Sequence, residues 1–212
     1  MKNFVIISGN IGSGKSSLTQ LLSKQLGWKA FLEREDDNPY LKDFYFDMKK
    51  WSFHSQVFFL SKRFKHQQEM TDNPCSVIQD RSIYEDVEIF ARNLYEQGLM
   101  ETRDYHNYRE LFEIMENFLT PPHLIIYLQA SVSTLKKRIN QRGRNFEKEI
   151  SVNYLERLNK LYKRWIDNFK LCPIIKIPTD DLDLINKPEH LNLIVKRIYS
   201  QLEEIDHGNI ML

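Results

Sequence analysis

The chain is 212 residues long, enough for a full hydrophobic core without disulfide or metal staples. Its 42% hydrophobic and 28% charged residues exclude a disordered, collagen-like or membrane-spanning protein. With 30 basic against 29 acidic residues, the net charge of +1 lacks the basic excess of a nucleic-acid-binding domain, and the distant pair Cys75 and Cys172 makes neither a disulfide framework nor a metal site.

In chain order, the apolar run from Phe4 to Ser8 has strand length. It is too short for a signal-peptide core, and no stretch approaches the roughly 18 apolar residues of a membrane span. A soluble, cytoplasmic protein is expected, with neither nucleic acid nor membrane as partner. Leu18, Leu21, Leu22 and Leu26 recur at helical spacing, with Gly27 as the stop. Lys29 to Glu33 reads as a second strand. A polar-aromatic helical region starts near Pro39, passes Trp51 and ends about Glu69, before the Asn73-Pro74 break.

Cys75 to Gln79 reads as a third strand. Helices are expected over 83–97 and 101–119, separated by Gly98, and Pro121-Pro122 closes the second. His123 to Leu128 is the strongest buried strand. A helix opens at Ser131 and runs to about Gln141, another spans 151–170, Pro173 to Ile177 is the fifth strand, and Pro188 opens the last helix. Short apolar strands alternating with helices predict an α/β fold with a five-stranded parallel sheet flanked by helices, all within one domain over 1–212.

Glycine is scarce, with seven in the chain, yet Gly9, Gly12 and Gly14 fall within six positions. The segment Gly9-Asn10-Ile11-Gly12-Ser13-Gly14-Lys15-Ser16 matches G-x-x-x-x-G-K-[ST] and lies between a predicted strand and a predicted helix. Glycines let backbone N–H groups turn inward around triphosphate oxygens. The helix that Lys15, Ser16 and Ser17 open points its positive end at the same anion. Lys15 would reach the β- and γ-phosphates and Ser16 would ligate magnesium. The motif alone leaves the acceptor open.

For the acceptor side, acids just beyond a parallel strand face the site, because ligands sit outside the carboxyl ends of such sheets. Glu33 and Glu35 follow the second strand, as a catalytic base or as part of an ordinary solvated acidic turn. Asp80-Arg81-Ser82 follows the third strand. There an acid can hold magnesium and an arginine can clamp phosphate, while Ser82 caps a helix. Gln56, Phe59 and Arg63 share a helical face, and Asp86 and Phe90 are one turn apart on another. Together they suit a nucleobase, against core packing for the phenylalanines. Between Lys136 and Glu149 six basic residues meet two acidic ones, with Gly143 between Arg142 and Arg144. This reads as a lid over the transferring phosphoryl group, about 138–149, or as a solvated helix end.

These segments, in this order and spacing, resemble the deoxynucleoside kinase family over residues 3 to 200. The likeness is carried by the glycine loop, Glu33 with Asn38-Pro39-Tyr40-Leu41, Phe44-Tyr45, and Trp51-Ser52-Phe53 leading to Gln56 and Arg63. It continues through Asp80-Arg81-Ser82-Ile83-Tyr84-Glu85-Asp86, Ile89-Phe90-Ala91 and Arg142-Gly143-Arg144. The resemblance implies a P-loop kinase fold, ATP and magnesium, a deoxynucleoside substrate and a homodimer whose contact face lies within 83–119. It implies Glu33 as the base for the sugar 5′-hydroxyl and Arg81 beside that hydroxyl and the phosphoryl group. Tyr45 and Glu147 would hold the 3′-hydroxyl, Gln56 would pair with the base, and Phe90 would stack on it. Arg63 and Asp86 would form a charged pair at the base edge, and Arg138, Arg142 and Arg144 would serve the donor.

Three positions depart from the family pattern. Glu33-Arg34-Glu35 replaces Glu-Pro-Val, and the spacing to Asn38 favours Glu33. Asp80 replaces a glutamate. Phe59 replaces a smaller residue. The Arg63/Asp86 pair implies a purine deoxynucleoside, with deoxycytidine as the second choice. The rival readings are a nucleoside-monophosphate kinase of the thymidylate kinase kind and a nucleotide-binding subunit without turnover.

Overall fold

Strand β1 (Phe4–Gly9) is buried along its whole length because it lies at the centre of a sheet covered on both faces. The computed structural model describes residues 2–32, 37–144, 147, 150–184 and 187–208. Among them β2 (Lys29–Phe31), β3 (Val77–Asp80), β4 (Leu124–Gln129) and β5 (Ile174–Pro178) join β1 in one parallel sheet, ordered β2-β3-β1-β4-β5. The expected five parallel strands are therefore present. Period-2 alternation divides each strand between two cores. Val5, Ile7, Leu124 and Ile126 face helices α1 (Lys15–Leu26) and α9 (Pro188–Asp206). Phe4, Ile6, Ile125 and Tyr127 face the opposite layer. Each such side chain contributes roughly 1.5–3 kcal/mol on burial, and two covered faces account for the unbroken apolar runs of β1 and β4.

The opposite layer holds α3 (Met48–Asp72), α6 (Thr102–Glu116) and α8 (Val152–Asn168). α2 (Leu41–Phe46) precedes α3, and α7 (Val132–Arg142) leads into the basic segment. The single helical region expected from Pro39 to Glu69 is two helices. Asp47 leaves helical geometry at φ −140° and its carboxylate accepts from the Lys50 N–H, capping α3. A side-chain oxygen that satisfies a first-turn donor favours a new start over continuation.

The helix expected over 83–97 is also composite. It begins as α4 (Ile83–Glu85), widens into a π-helical segment (Asp86–Ala91) and resumes as α5 (Arg92–Glu96). The third strand lies slightly later than expected, because Asn73 Oδ1 accepts from the Cys75 N–H and holds that residue in the turn. No helix among the described residues is long and apolar enough to cross a membrane.

Candidate active site

The register pairs Ile7 with Asp80 and Gly9 with Leu128, so the carboxyl ends of β1, β3 and β4 come level at the centre of the sheet. There the chain leaves β1 as the glycine loop and β3 as Asp80-Arg81-Ser82. Gly12, at φ +80°, has no room for a side chain: a Cβ would lie 2.9 Å from both Ile139 Cγ1 and the Leu135 carbonyl oxygen. Gly14, at φ +99°, occupies the N-cap of α1 in a left-handed conformation that other residues adopt at a cost of about 1–2 kcal/mol. The loop is thus pressed against α7 and ends at a helix N-terminus, the geometry that receives phosphate.

Lys15 is buried and its Nζ donates to the Asn10 carbonyl at 3.0 Å, bridging the loop from within. Ser16 Oγ donates to Asp80 Oδ2 at 2.5 Å. This hydroxyl–carboxylate pair beside the loop suits magnesium, which takes one or two protein oxygens and fills its octahedron with phosphate oxygens and water.

Two cavities meet at this edge. One is a cleft lined by residues 11–17 of the loop and by Arg138, Arg142 and Arg144. The other is lined by Tyr45, Gln56, Phe59, Asp86, Phe90 and Glu147, together with Leu41, Phe44 and Tyr154. Ile11 and Arg81 line both. A group bound in the cleft and a group bound in the aromatic cavity therefore face each other across Arg81.

Most of the residues expected for donor and acceptor do come together here. Arg63 stands behind the cavity wall, buried, with its Nε 2.5 Å from Asp86 Oδ2, which does line the cavity. Its NH1 also donates to the Arg81 carbonyl at 3.2 Å. Gly9 and Asn10 do not line the cleft. Asn10 Nδ2 is committed to α8, donating to the Leu155 carbonyl at 3.0 Å and to Asn159 Oδ1 at 2.8 Å. Asp80 does not line the cleft but accepts from Ser16, which does. Glu33 and Glu35 lie outside the described residues.

The basic segment is tied down by partners that the sequence reading did not identify. Arg138 donates to the Ser13 carbonyl at 3.2 Å and the Thr179 carbonyl at 2.6 Å, spanning loop and β5. Asp180, held below the usual carboxylate range by the Ser131 N–H, lines the same cleft. Thr179 and Asp180 follow β5 just as Arg81 and Ser82 follow β3, so the carboxyl-edge rule extended to the fifth strand would have found them. Glu147 is buried and accepts a two-pronged contact from Arg142, with Nε at 2.9 Å, and a longer one from Arg144 at 3.4 Å. Two of the arginines expected in a lid and the carboxylate expected at the sugar thus form one cluster.

Tyr154 was also missed. It projects from α8 into the aromatic cavity, and burial pushes its phenol up to about 12, so it remains neutral at working pH. Only the packing of α8 over the loop places it there. The π-helical segment has a comparable local effect. Asp86 and Phe90, four residues apart within it, both line the aromatic cavity.

Comparison with known proteins bears on the same region. The sequence profile of the family described as dNK, Deoxynucleoside kinase, matches residues 5–203. The chain is 41% identical over 206 residues to the deoxyadenosine/deoxycytidine kinase of Bacillus subtilis, covering 96% of this chain and 95% of that one. It is 37% identical to the deoxyadenosine kinase of Dictyostelium discoideum, over 97% of this chain and 82% of that one. Among solved structures, deoxyadenosine kinase from M. mycoides with bound dCMP and dCDP products superposes with a TM-score of 0.83 at 31% identity, covering 93% of this chain and 99% of that chain. A likeness that runs from residue 5 to residue 203 spans the loop, the cavity and the arginine between them, and the chain belongs to the deoxynucleoside kinase family.

Proposed function

We propose that this deoxynucleoside kinase transfers the γ-phosphoryl group of ATP to the 5′-hydroxyl of a purine deoxynucleoside, with deoxycytidine as a second acceptor. The observation that carries this choice is the buried Arg63–Asp86 pair, whose Asp86 lines the aromatic cavity together with Gln56. An aspartate held by an arginine accepts from an exocyclic amino group, and a carboxamide offers one donor and one acceptor to a base edge. Thymine has no amino group to offer and adds a methyl. The names of the relatives, kinases of deoxyadenosine, deoxycytidine and deoxyguanosine, support the same acceptors.

In this reading the loop backbone and Lys15 hold the donor phosphates, and Arg138, Arg142 and Arg144 close over them. Tyr45 and Glu147 hold the 3′-hydroxyl, Phe90 stacks on the base, and Arg81 bears on the phosphoryl group from the junction of the two cavities. Ser16 and Asp80 would hold magnesium, which would supply positive charge against the donor phosphates. Glu33 takes the 5′-hydroxyl proton as that oxygen bonds to the γ-phosphorus and the bond to the β,γ-bridging oxygen breaks, leaving ADP.

Acceptor-dependent ADP release from Mg-ATP tests the proposal, with deoxyadenosine, deoxyguanosine, deoxycytidine, thymidine and dTMP compared. A purine deoxynucleoside should lead and thymidine should trail. Thymidine in first place would overturn the base assignment, and turnover with dTMP alone would make the acceptor a monophosphate.

The pair itself is tested by replacing both members. Removing one partner strands a buried charge at a cost of about 3–5 kcal/mol, whereas two apolar residues of similar volume are often tolerated. Arg63→Met/Asp86→Ala should therefore fold and raise the thymidine/deoxyadenosine ratio of kcat/KM by at least about tenfold, the worth of one good polar contact. An unchanged ranking would remove the pair from base selection.

The homodimer is part of the same proposal. Leu111, Ile114 and Phe118 recur at i, i+3 and i+7 along α6 and just past its end, with Ile114 55% and Phe118 75% exposed. Such a stripe is self-complementary about a two-fold axis. Leu111→Glu/Ile114→Glu should halve the mass seen by light scattering, and a monomeric wild type would sink the assignment.

A further inference from the structure

Tyr162 lines neither cavity, yet its hydroxyl sits where their walls are joined. Arg81 NH1 donates to Tyr162 Oη at 2.9 Å. The same oxygen lies 2.9 Å from the Gly9 carbonyl and 2.8 Å from Glu85 Oε1. A phenol has one hydrogen, so it accepts from Arg81 while donating to one of these two acceptors at a time. Glu85 is fully buried and gathers donors from both sides of the site: the Ser82 N–H at 2.8 Å, the Ser82 hydroxyl at 3.0 Å and the Gly9 N–H at 3.3 Å. Gly9 is the last residue of β1 and the first of the phosphate loop, and Arg81 is the first residue after β3. The Tyr162 hydroxyl therefore ties the loop to the arginine by a route separate from the sheet ladder.

The guanidinium of Arg81 is held over a ring as well as at its end. Its Cζ rests 4.4 Å from the centre of the Phe90 ring, a contact that sets its height. Its NH1 donates to Tyr162 and lies 3.9 Å from Glu85 Oε1, contacts that set its place within that plane. Burial and the neighbouring Glu85 carboxylate push the Tyr162 phenol well above its ordinary range, so the hydroxyl stays protonated as a donor at any working pH.

We propose that Tyr162, backed by Glu85, is a positioning residue for phosphoryl transfer: it holds Arg81 in register with the start of the phosphate loop. This rests on the reading of Arg81 as the group that bears on the phosphoryl. A displacement of about 1 Å in such a group costs on the order of 100-fold in rate, while the base subsite at Gln56 and Asp86 is untouched. The expected signature is a fall in kcat without a matching change in the deoxynucleoside KM.

The test is a double-mutant cycle on kcat at saturating Mg-ATP with Tyr162→Phe, Arg81→Ala and the double variant. Tyr84→Phe serves as a matched control, since it removes a hydroxyl from another buried tyrosine, packed between Phe112 and Phe169 away from both cavities. Tyr162→Phe should lower kcat about 10- to 100-fold and leave the deoxynucleoside KM within about threefold. Tyr84→Phe should keep the wild-type kcat.

Because Tyr162 acts through Arg81, the double variant should be no slower than Arg81→Ala alone. A double variant slower by the full Tyr162 factor would overturn the proposal, as would a Tyr162→Phe enzyme with wild-type kcat. If Arg81→Ala itself kept its rate, the reading of Arg81 would fail first, and the cycle separates that failure from this one. Should Tyr162→Phe not fold, Glu85→Gln enters the same cycle. It keeps the shape of the side chain while weakening the acceptor behind the hydroxyl, and a wild-type kcat there would equally overturn the proposal.

Discussion

Glu33→Gln is expected to lower kcat by roughly 10²–10⁴ while leaving deoxynucleoside binding largely intact, which is the usual worth of a positioned base. The argument is one of placement along the chain. β2 ends at Phe31, which pairs with Gln79 of β3, and Glu33 stands two residues past Phe31 as Arg81 stands two residues past Gln79. In a parallel sheet, ligands sit outside the carboxyl ends of the strands, the edge where Arg81 and the loop after β1 emerge, and the role proposed for Glu33 rests on that rule. An amide at Glu33 keeps the volume and a hydrogen-bonding end but cannot take the 5′-hydroxyl proton. Pre-steady-state kinetics with radiolabelled ATP measures the chemical step, and nucleoside binding is followed separately by calorimetry. Near-normal turnover in Glu33→Gln together with a dead Glu35→Gln would assign the base to the second glutamate.

Arg81→Ala is expected to lower kcat by about 10²–10³, the scale on which removing one preorganised donor from a developing charge is felt. The backbone around Arg81 shows how strongly its position is specified. It adopts φ +66°, a left-handed conformation among non-glycine residues, which costs about 1–2 kcal/mol. That conformation is held from both sides: the Arg81 N–H donates to the Ile7 carbonyl at 3.0 Å and the Arg81 carbonyl accepts from Arg63. Both bonds are to the backbone, so they survive the substitution, and the loss reports on the guanidinium rather than on the turn.

Arg81→Lys should recover only part of the rate, because a single ammonium cannot reproduce a planar fork that meets Tyr162 and the substrate together. Thermal melts of all three proteins provide the check. A kcat loss that follows the melting temperature from variant to variant would point to folding, not to the charge.

The two effects differ in how far the sequence alone pointed to them. The glycine loop is local: three glycines in six positions, a lysine and a serine leave one backbone solution, and the structure places it between β1 and α1 as the spacing required. The strands were legible for a similar reason. Burial on both faces writes itself as unbroken apolar runs, so β1 and β4 could be read without knowing their neighbours. Asp80 and Arg81 could be singled out because they close such a run.

Other features depended on contacts between elements far apart in the chain. The sequence of residues 39–69 carries no glycine between its two helices, and the break at Asp47 comes from one carboxylate choosing a backbone donor. The π-helical segment at Asp86 was invisible because a widened turn leaves no signature in apolar spacing. Tyr154 and Tyr162 read as the ordinary inward stripe of an amphipathic helix. Tyr162 meets Gly9 from 153 residues away, and nothing in its own neighbourhood announces that its hydroxyl, rather than its ring, is the part that matters.

The sequence by itself determined that a glycine loop would join the first strand to a helix and that Asp80 and Arg81 would come at the end of the third, because those properties are local in backbone and period. Which side chains then share one cavity was decided only in the folded chain. That Arg63 holds the backbone of Arg81 as well as the side chain of Asp86, and that Glu147 gathers the lid arginines, follow from how α3, α7 and α8 pack over the sheet. Packing of that kind depends on the sum of many weak contacts, which no short stretch of sequence contains.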